Sequence, residues 1–264
     1  MKKISALLLI ILVSSFVARA QMPKRNHFAI QIMYDQSKEK NRLGSDASFR
    51  QAEKQKGTSV GFLYEFDFKK WRSVDIGFET GLTYLYHRAK TSDTRINGAF
   101  QSNYTVVHKR HDIALPLRLV YRQLIARDTY LTFYFGPQFV FSASNKAVET
   151  EKRLSAQGQQ EYNTTYNLLK NGDGDKLLRS YVKDDVENQA PVYSNVKPFN
   201  VQLGLGGSFQ FHQIQIRAGY EWGLTNLFTN TYTATSLKSW QLTNRVDQWY
   251  VGLVLFLPEK KAQW

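Results

Sequence analysis

The sequence predicts an all-β protein, an eight-stranded antiparallel up-and-down barrel that spans a membrane, with long extracellular loops and short periplasmic turns. Three observations predict it. Eight segments alternate apolar and polar residues. Their polar positions carry charges and glycines, which suit a soluble core poorly because burying an unpaired charge is costly. Long and short connections between the segments alternate strictly, as they do in outer-membrane barrels.

The alternation is clearest in residues 213–224. Successive side chains of a β-strand point to opposite faces, so this segment has one apolar and one polar face. The apolar face carries Ile214, Ile216, Ala218, Tyr220, Trp222 and Leu224, and the polar face carries Gln213, Gln215, Arg217, Gly219, Glu221 and Gly223. A barrel wall with lipid outside and a polar lumen inside accommodates both faces.

The first four segments in the chain, 27–34, 58–68, 75–86 and 112–122, follow the same alternation. Each has an apolar face, and in the second to fourth the opposite face carries charged residues. The apolar sets are, in order, Phe28, Ile30, Ile32 and Tyr34; Val60, Phe62, Tyr64, Phe66 and Phe68; Ile76, Phe78, Leu82, Tyr84 and Tyr86; and Ile113, Leu115, Leu117, Leu119 and Tyr121. Each segment is near the length that a tilted membrane strand needs.

The remaining strands are predicted at 129–142, 200–211, 213–224 and 248–257. The last has the least polar inner face, so its register is the least well defined. Pro116 and Pro137 fall inside predicted strands, where a missing N–H donor interrupts the ladder, and the sequence therefore predicts a local bulge at each.

The connections predict the orientation of the barrel. Short turns lie near 69–74, at 123–128 and at His212, and with an even strand number both termini lie in the periplasm. The loop 143–197 is long enough to carry function, with helical character at 148–154 and 176–182. Residues 171–175 resemble the start of a calcium loop, but the later ligand positions do not match, so a plain turn is predicted. The long connections are 35–57, 87–103, 143–197 and 225–247.

Residues 1–20 are predicted to be a secretory signal peptide: two lysines, an apolar run and the small-residue site before Gln21. Residues 21–264 then form a single outer-membrane barrel domain. Removing Lys2, Lys3 and Arg19 lowers the formal charge from +13 to +10. An exported basic chain is expected to meet membrane surfaces or lipopolysaccharide phosphate rather than nucleic acid. The absence of cysteine excludes disulfides, thiol chemistry and a lipoprotein anchor.

The polar faces of the predicted strands place nine charged residues in the lumen. Eight strands leave an interior just wide enough for side chains, so these charges must pair or stay hydrated. We expect a structural network of ion pairs there, with a proton or solute path as the alternative. The nine residues are Glu65, Asp67, Asp75, Glu79, Asp112, Arg118, Arg122, Arg217 and Glu221.

The outer loops are predicted to contact lipopolysaccharide through basic residues. The first loop contributes Lys38, Lys40 and Arg42, and the second contributes Arg88 and Lys90. No metal site or cofactor is expected: His108 and His111 are three apart, and residues at that spacing on a strand point to opposite faces. No serine is placed beside a histidine and a carboxylate, so a hydrolytic triad is not predicted.

Several short motifs resemble the PorT-like outer-membrane β-barrel family of Bacteroidetes. Residues 111–122 (HDIALPLRLVYR) resemble its "IPL…YR/K" strand, and 135–139 (FGPQF) resemble its "GP" strand. Residues 204–207 (GLGG), 217–220 (RAGY) and 223–226 (GLTN) resemble its later glycine-rich segments. The resemblance implies an eight-stranded barrel in which both prolines are family features. It also implies a link to protein secretion of the type IX kind, although the family's N-terminal pattern is not seen after Gln21.

The functional expectation from the sequence is a non-catalytic scaffold or interaction component of the cell envelope. Other envelope or secretion proteins are its expected partners. Two alternatives stay open at this stage. An outer-leaflet lipid-modifying enzyme would require a serine and a histidine adjacent on the folded wall, and a small pore would require a water-continuous lumen.

Overall fold

A computed structural model describes residues 25–43, 54–71, 73–97, 100–155, 158–170, 196–227 and 242–257. The predicted signal peptide, residues 171–182 and the terminal Trp264 lie outside the described residues. No helix among the described residues is long and apolar enough to cross a membrane. The nine strands are β1 (Arg25–Leu43), β2 (Lys54–Trp71), β3 (Val74–Asn97), β4 (Phe100–Ala126), β5 (Thr129–Ser155), β6 (Gly158–Asn167), β7 (Phe199–Phe211), β8 (Ile214–Gly223) and β9 (Leu242–Phe256).

Eight of these strands close into an antiparallel ring. Neighbours in sequence pair along the wall from β1 to β5, β5 then pairs with β7, and the wall continues through β8 and β9. The ring closes where β9 pairs with β1, from Phe256 opposite Ala29 to Leu242 opposite Leu43. The predicted eight-stranded antiparallel barrel is therefore confirmed. The sequence did not predict β6, which lies outside the ring and, within the part of the chain that the structure describes, pairs with the distal part of β5.

The apolar faces of the ring strands point outward. Ile32 and Phe62 expose 63% and 68% of their surface, whereas Glu79 and Glu221 on the inner face expose 1% and 0%. A soluble protein buries the first kind of residue and exposes the second. The inversion fits a lipid-facing wall around a polar interior, and the predicted strand faces are confirmed, including that of β9, where Trp249, Val251 and Leu253 are exposed.

The two prolines do not create bulges, and this prediction was wrong. Pro116 pairs with Gln138, and the same register resumes at Leu119 opposite Phe135. Pro137 pairs directly with Leu203 on the other side. In an antiparallel ladder the N–H groups of a strand alternate between its two neighbours. One missing donor therefore removes one bond without shifting the register.

Much of the predicted loop sequence is strand. β1 continues to Leu43, β3 to Asn97, and β5 to Ser155, and β6 begins at Gly158. Residues 148–154, expected to have helical character, belong to β5 and pair with both β4 and β6. Pairing on both edges overrides a weak helix propensity. The short turns agree with the sequence: Asp128 and His212 adopt positive φ values of 54° and 56°.

Candidate functional site: the filled lumen and the extended rim

Four charged side chains meet at the centre of the barrel. The Arg217 guanidinium donates to both carboxylate oxygens of Glu79, each at 2.7 Å. Arg118 donates to Glu79 at 3.3 Å, to Gln138 at 2.9 Å and to the Glu221 carboxylate. These residues come from β3, β4, β5 and β8, so the cluster crosses the lumen. Because the charges are buried, their pairing is what makes burial tolerable.

Two tyrosines complete this central layer. The Tyr250 hydroxyl donates to Tyr134 at 3.0 Å, and the Tyr134 hydroxyl donates to the carbonyl of Ala218 at 2.7 Å. The Arg217 guanidinium carbon lies 3.8 Å from the Tyr134 ring centroid, a cation–π contact. Gly206 makes room, since a Cβ there would lie 2.0 Å from the Tyr134 hydroxyl oxygen. The alternation within 129–142 puts Tyr134 on the polar face of its strand, although no role was predicted for it.

A second cluster lies toward the short-turn end of the barrel. Arg122 donates to the Glu65 carboxylate, and its other terminal nitrogen lies 3.4 Å from Asp67. His27 Nε2 lies 3.3 Å from the same Asp67 oxygen. Asp75 is 8% exposed and stands opposite Arg122 in the β3–β4 register. These contacts join β1, β2, β3 and β4.

A third cluster lies at the opposite end of the lumen. Arg110 Nε donates to Asp112 at 2.6 Å, and Arg110 donates to His87 Nδ1 at 3.5 Å. The Ser142 hydroxyl donates to the other Asp112 oxygen at 2.6 Å. Arg110 and His87 were not predicted as lumen residues. The inward parity of β3 and β4 could have identified both, because His87 has the same parity as Glu79 and Arg110 lies two residues from Asp112.

All nine charged residues proposed from the sequence lie on the inner face, in these three clusters. The middle of the lumen is also filled by amides: Gln138 donates to Gln202 at 3.2 Å, and Gln202 donates to the Val246 carbonyl at 3.2 Å. The described residues contain no group of three or more histidine, aspartate or glutamate side chains placed to hold a metal ion.

The model of the outer membrane protein beta-barrel domain family matches residues 26–229. The chain belongs to this family. A search of curated proteins finds no match.

Solved structures of three bacterial proteins are similar to this chain. Ail, the attachment invasion locus protein of Yersinia pestis, is 14% identical, covers 88% of this chain and 99% of its own, and has a TM-score of 0.33. Neisserial surface protein A is 8% identical over 86% and 96%, with a TM-score of 0.32. The outer membrane protease OmpT from Escherichia coli is 9% identical over 88% and 97%, with a TM-score of 0.27.

The outward-facing apolar side chains of the ring form the apolar belt that faces lipid. Beyond this belt, β3, β4, β5 and β6 continue as one projecting sheet, which we call the projection. From His111 to Gln101, β4 extends ten residues past the belt, about 33 Å along the strand at about 3.3 Å per residue. A small core at its base joins Val106, Ala147, Tyr166 and Leu168, with Val196 packed against it. The projection is therefore stabilised by a buried apolar cluster of its own.

Polar contacts on the inner side of the projection fix its distal part. The Tyr104 hydroxyl donates to Glu151 at 2.5 Å, and the Tyr166 hydroxyl donates to Glu149 at 2.8 Å. Arg153 donates to Glu151 at 2.7 Å, and this hydrogen bond raises the pKa of the Arg153 guanidinium.

The basic residues predicted for lipopolysaccharide contact lie on strands, not in loops, which corrects the prediction. Lys38, Arg88 and Lys90 are exposed on the outward faces of β1 and β3. Lys40 and Arg42 belong to β1, but their side chains lie outside the described part of the structure. The placement in loops was wrong because polar sequence was equated with loop, although a strand beyond the lipid needs no apolar face.

Proposed function

We propose that this barrel is a non-catalytic, non-conducting scaffold or interaction component of the outer membrane. The observation that carries the proposal is the combination of a filled lumen with the projecting sheet of β3–β6. The buried side chains of the central cluster join β3, β4 and β8 across the ring. They are Glu79, Arg118, Arg217 and Glu221. The ring therefore acts as a rigid base, and among the described residues the projection is the surface proposed to meet a partner.

A water-continuous pore is disfavoured by the central layer. Arg217, Gln202 and Glu221 are each essentially unexposed. The contacts of Arg217 with Glu79 and of Glu221 with Arg118 cross the lumen. An eight-stranded ring has an interior that side chains alone can fill.

We expect no unitary conductance steps from the purified wild-type barrel in planar lipid bilayers. The physical reason is that ions would have to displace paired, buried charges from the central layer. A known porin reconstituted at the same protein-to-lipid ratio serves as the positive control. Reproducible steps of one size from the wild-type chain would contradict the proposal and favour the pore.

A lipid-modifying enzyme is disfavoured by the pairing at the mouth of the lumen. Ser142 donates to Asp112, and His87 accepts from Arg110. In the described residues no serine hydroxyl is hydrogen-bonded to a histidine ring, the arrangement that would activate a nucleophile.

The interaction role is tested by placing a photo-reactive residue at Thr165, which is exposed on β6. We expect one reproducible protein adduct of defined mass from this site in intact cells. The matched control carries the same residue at Leu253 in the lipid-facing belt of β9, which should give lipid adducts alone. The same pattern from both sites would overturn the interaction role of the projection.

A finer assignment follows from the sequence motifs. We propose that the chain is a PorT-like barrel of Bacteroidetes and that its partners are envelope proteins, including components of a type IX-like secretion system. Support comes from the motif at 111–122, which lies in β4 with Arg118 and Arg122 in the lumen, and from Gly206 of the segment 204–207, which lies beside Tyr134. Outer-membrane lipid and lipopolysaccharide are its proposed lipid partners, and 1–20 its proposed signal peptide.

A further inference from the structure

Four cationic residues form one continuous row across four adjacent strands. In the register of the sheet, Lys56 of β2 stands directly opposite Arg88 of β3, Arg88 opposite Lys109 of β4, and Lys109 opposite Lys146 of β5. All four side chains are exposed and point outward. The row spans three strand spacings, about 14 Å at about 4.8 Å per spacing. We call it the cationic row.

The cationic row lies directly beyond the lipid-facing belt. Two residues closer to the belt on each strand, the register runs through Thr58, Tyr86, His111 and Ser144. The ring centroids of Tyr86 and His111 are 5.0 Å apart, and the Tyr84 hydroxyl is hydrogen-bonded to His111 Nδ1 at 2.5 Å. Amphipathic rings of this kind mark the interface of a membrane barrel. The cations therefore lie at the level of lipid headgroups.

The row is electrostatically unfavourable by itself. Like charges directly opposite on neighbouring strands destabilise a sheet, and here three such pairs follow one another. Within the described residues, none of the four side chains forms an ion pair. Two residues further from the belt along β2, Lys54 stands opposite Lys38 of β1, which adds a further like-charge pair. The arrangement is stabilised if an external anion binds to it.

We propose that the cationic row binds the phosphate groups of an outer-leaflet glycolipid. A lipid is favoured over a soluble polyanion because the row adjoins the apolar belt, so one molecule can place acyl chains on the belt and phosphates on the cations. Arginine can bind a phosphate group through two parallel hydrogen bonds, and lysine supplies a point charge. The length of the row, about 14 Å, accommodates phosphates at the two ends of a sugar headgroup. Two of the four cations, Lys109 and Lys146, were not among the residues proposed from the sequence.

The site rests on the outer-membrane orientation proposed above, in which the projection faces outward, but not on the scaffold role. The conductance and cross-linking experiments report on the role alone. A lipid-binding failure with an intact cross-link at Thr165 would thus count against the cationic row and leave the proposed function standing.

The test compares two variants with the same loss of charge. The row variant carries Lys56→Gln, Arg88→Gln, Lys109→Gln and Lys146→Gln, and the matched variant carries Arg127→Gln, Lys152→Gln, Lys170→Gln and Lys197→Gln, which are described cations outside the row. Binding of diphosphorylated lipid A in detergent micelles is titrated by native mass spectrometry on delipidated protein. We expect the row variant to bind at least about 10-fold more weakly than wild type, and the matched variant to bind within about twofold of it.

Two further probes decide the chemistry of the ligand. Dephosphorylated lipid A should bind wild type as weakly as the row variant binds the phosphorylated form, and sucrose octasulfate should not displace the lipid. Equal binding by the row and matched variants would overturn the proposal, as would a barrel that binds sucrose octasulfate but not lipid A. If the row variant does not fold, the pair Lys109→Gln with Lys146→Gln decides the question by the same comparison.

Discussion

Replacement of Arg217 by alanine is expected to lower the free energy of unfolding by about 3–5 kcal/mol, the effect of removing one partner from a buried ion pair. The substitution removes both 2.7 Å bonds to Glu79 and the contact with Tyr134. It leaves a carboxylate that is 1% exposed with only the 3.3 Å contact to Arg118. Insertion should persist, because the lipid-facing wall is unchanged. Urea unfolding in lipid vesicles measures the loss.

Arg153→Ala is the control for this prediction. Arg153 pairs with Glu151 at 2.7 Å, but its side chain is 44% exposed, and exposed pairs contribute at most about 1 kcal/mol. The double variant Arg217→Met with Glu79→Gln should recover much of the stability, since it removes the uncompensated charge as well. If Arg217→Ala were no more destabilising than Arg153→Ala, the central cluster would not stabilise the barrel.

Gly206→Ala is expected to destabilise the barrel by about 1–3 kcal/mol, the usual effect of overpacking. Its Cβ would lie 2.0 Å from the Tyr134 hydroxyl oxygen, and Tyr134 is held by Ala218, Tyr250 and Arg217. The neighbouring Gly207→Ala is the matched control, because its Cβ would meet nothing closer than 3.4 Å. Both variants are compared by urea unfolding. Equal midpoints would contradict the packing described for Tyr134.

The barrel itself could be predicted because its determinants are local. A period of two in 213–224 assigns each residue of β8 to lipid or lumen without reference to any other strand, and Ile216 and Arg217 are 56% and 1% exposed. The strand ends could not be predicted in this way. Beyond the lipid both faces of a strand can be polar, so the alternation that identifies it disappears. β6, with the sequence GQQEYNTTYN, carries no such signal.

The pairings inside the lumen and on its rim depend on register, which local sequence does not specify. Glu79 and Arg217 come from strands on opposite sides of the ring, so their contact depends on how the barrel closes. The cationic row likewise depends on a register that passes a bulge between His111 and Asp112. A shift of one residue would turn Lys146 to the other face of the sheet.

The measurement that tests the account most directly is thiol labelling of single cysteines, since the chain contains none of its own. Thr164→Cys on β6, Gln202→Cys in the lumen and Asp128→Cys in a short turn are treated with a membrane-impermeant maleimide. In intact cells we expect labelling at Thr164→Cys alone, with Asp128→Cys labelled after the outer membrane is permeabilised and Gln202→Cys only after unfolding. Labelling of Gln202→Cys in the folded barrel, or of Asp128→Cys in intact cells, would contradict the filled lumen or the proposed orientation.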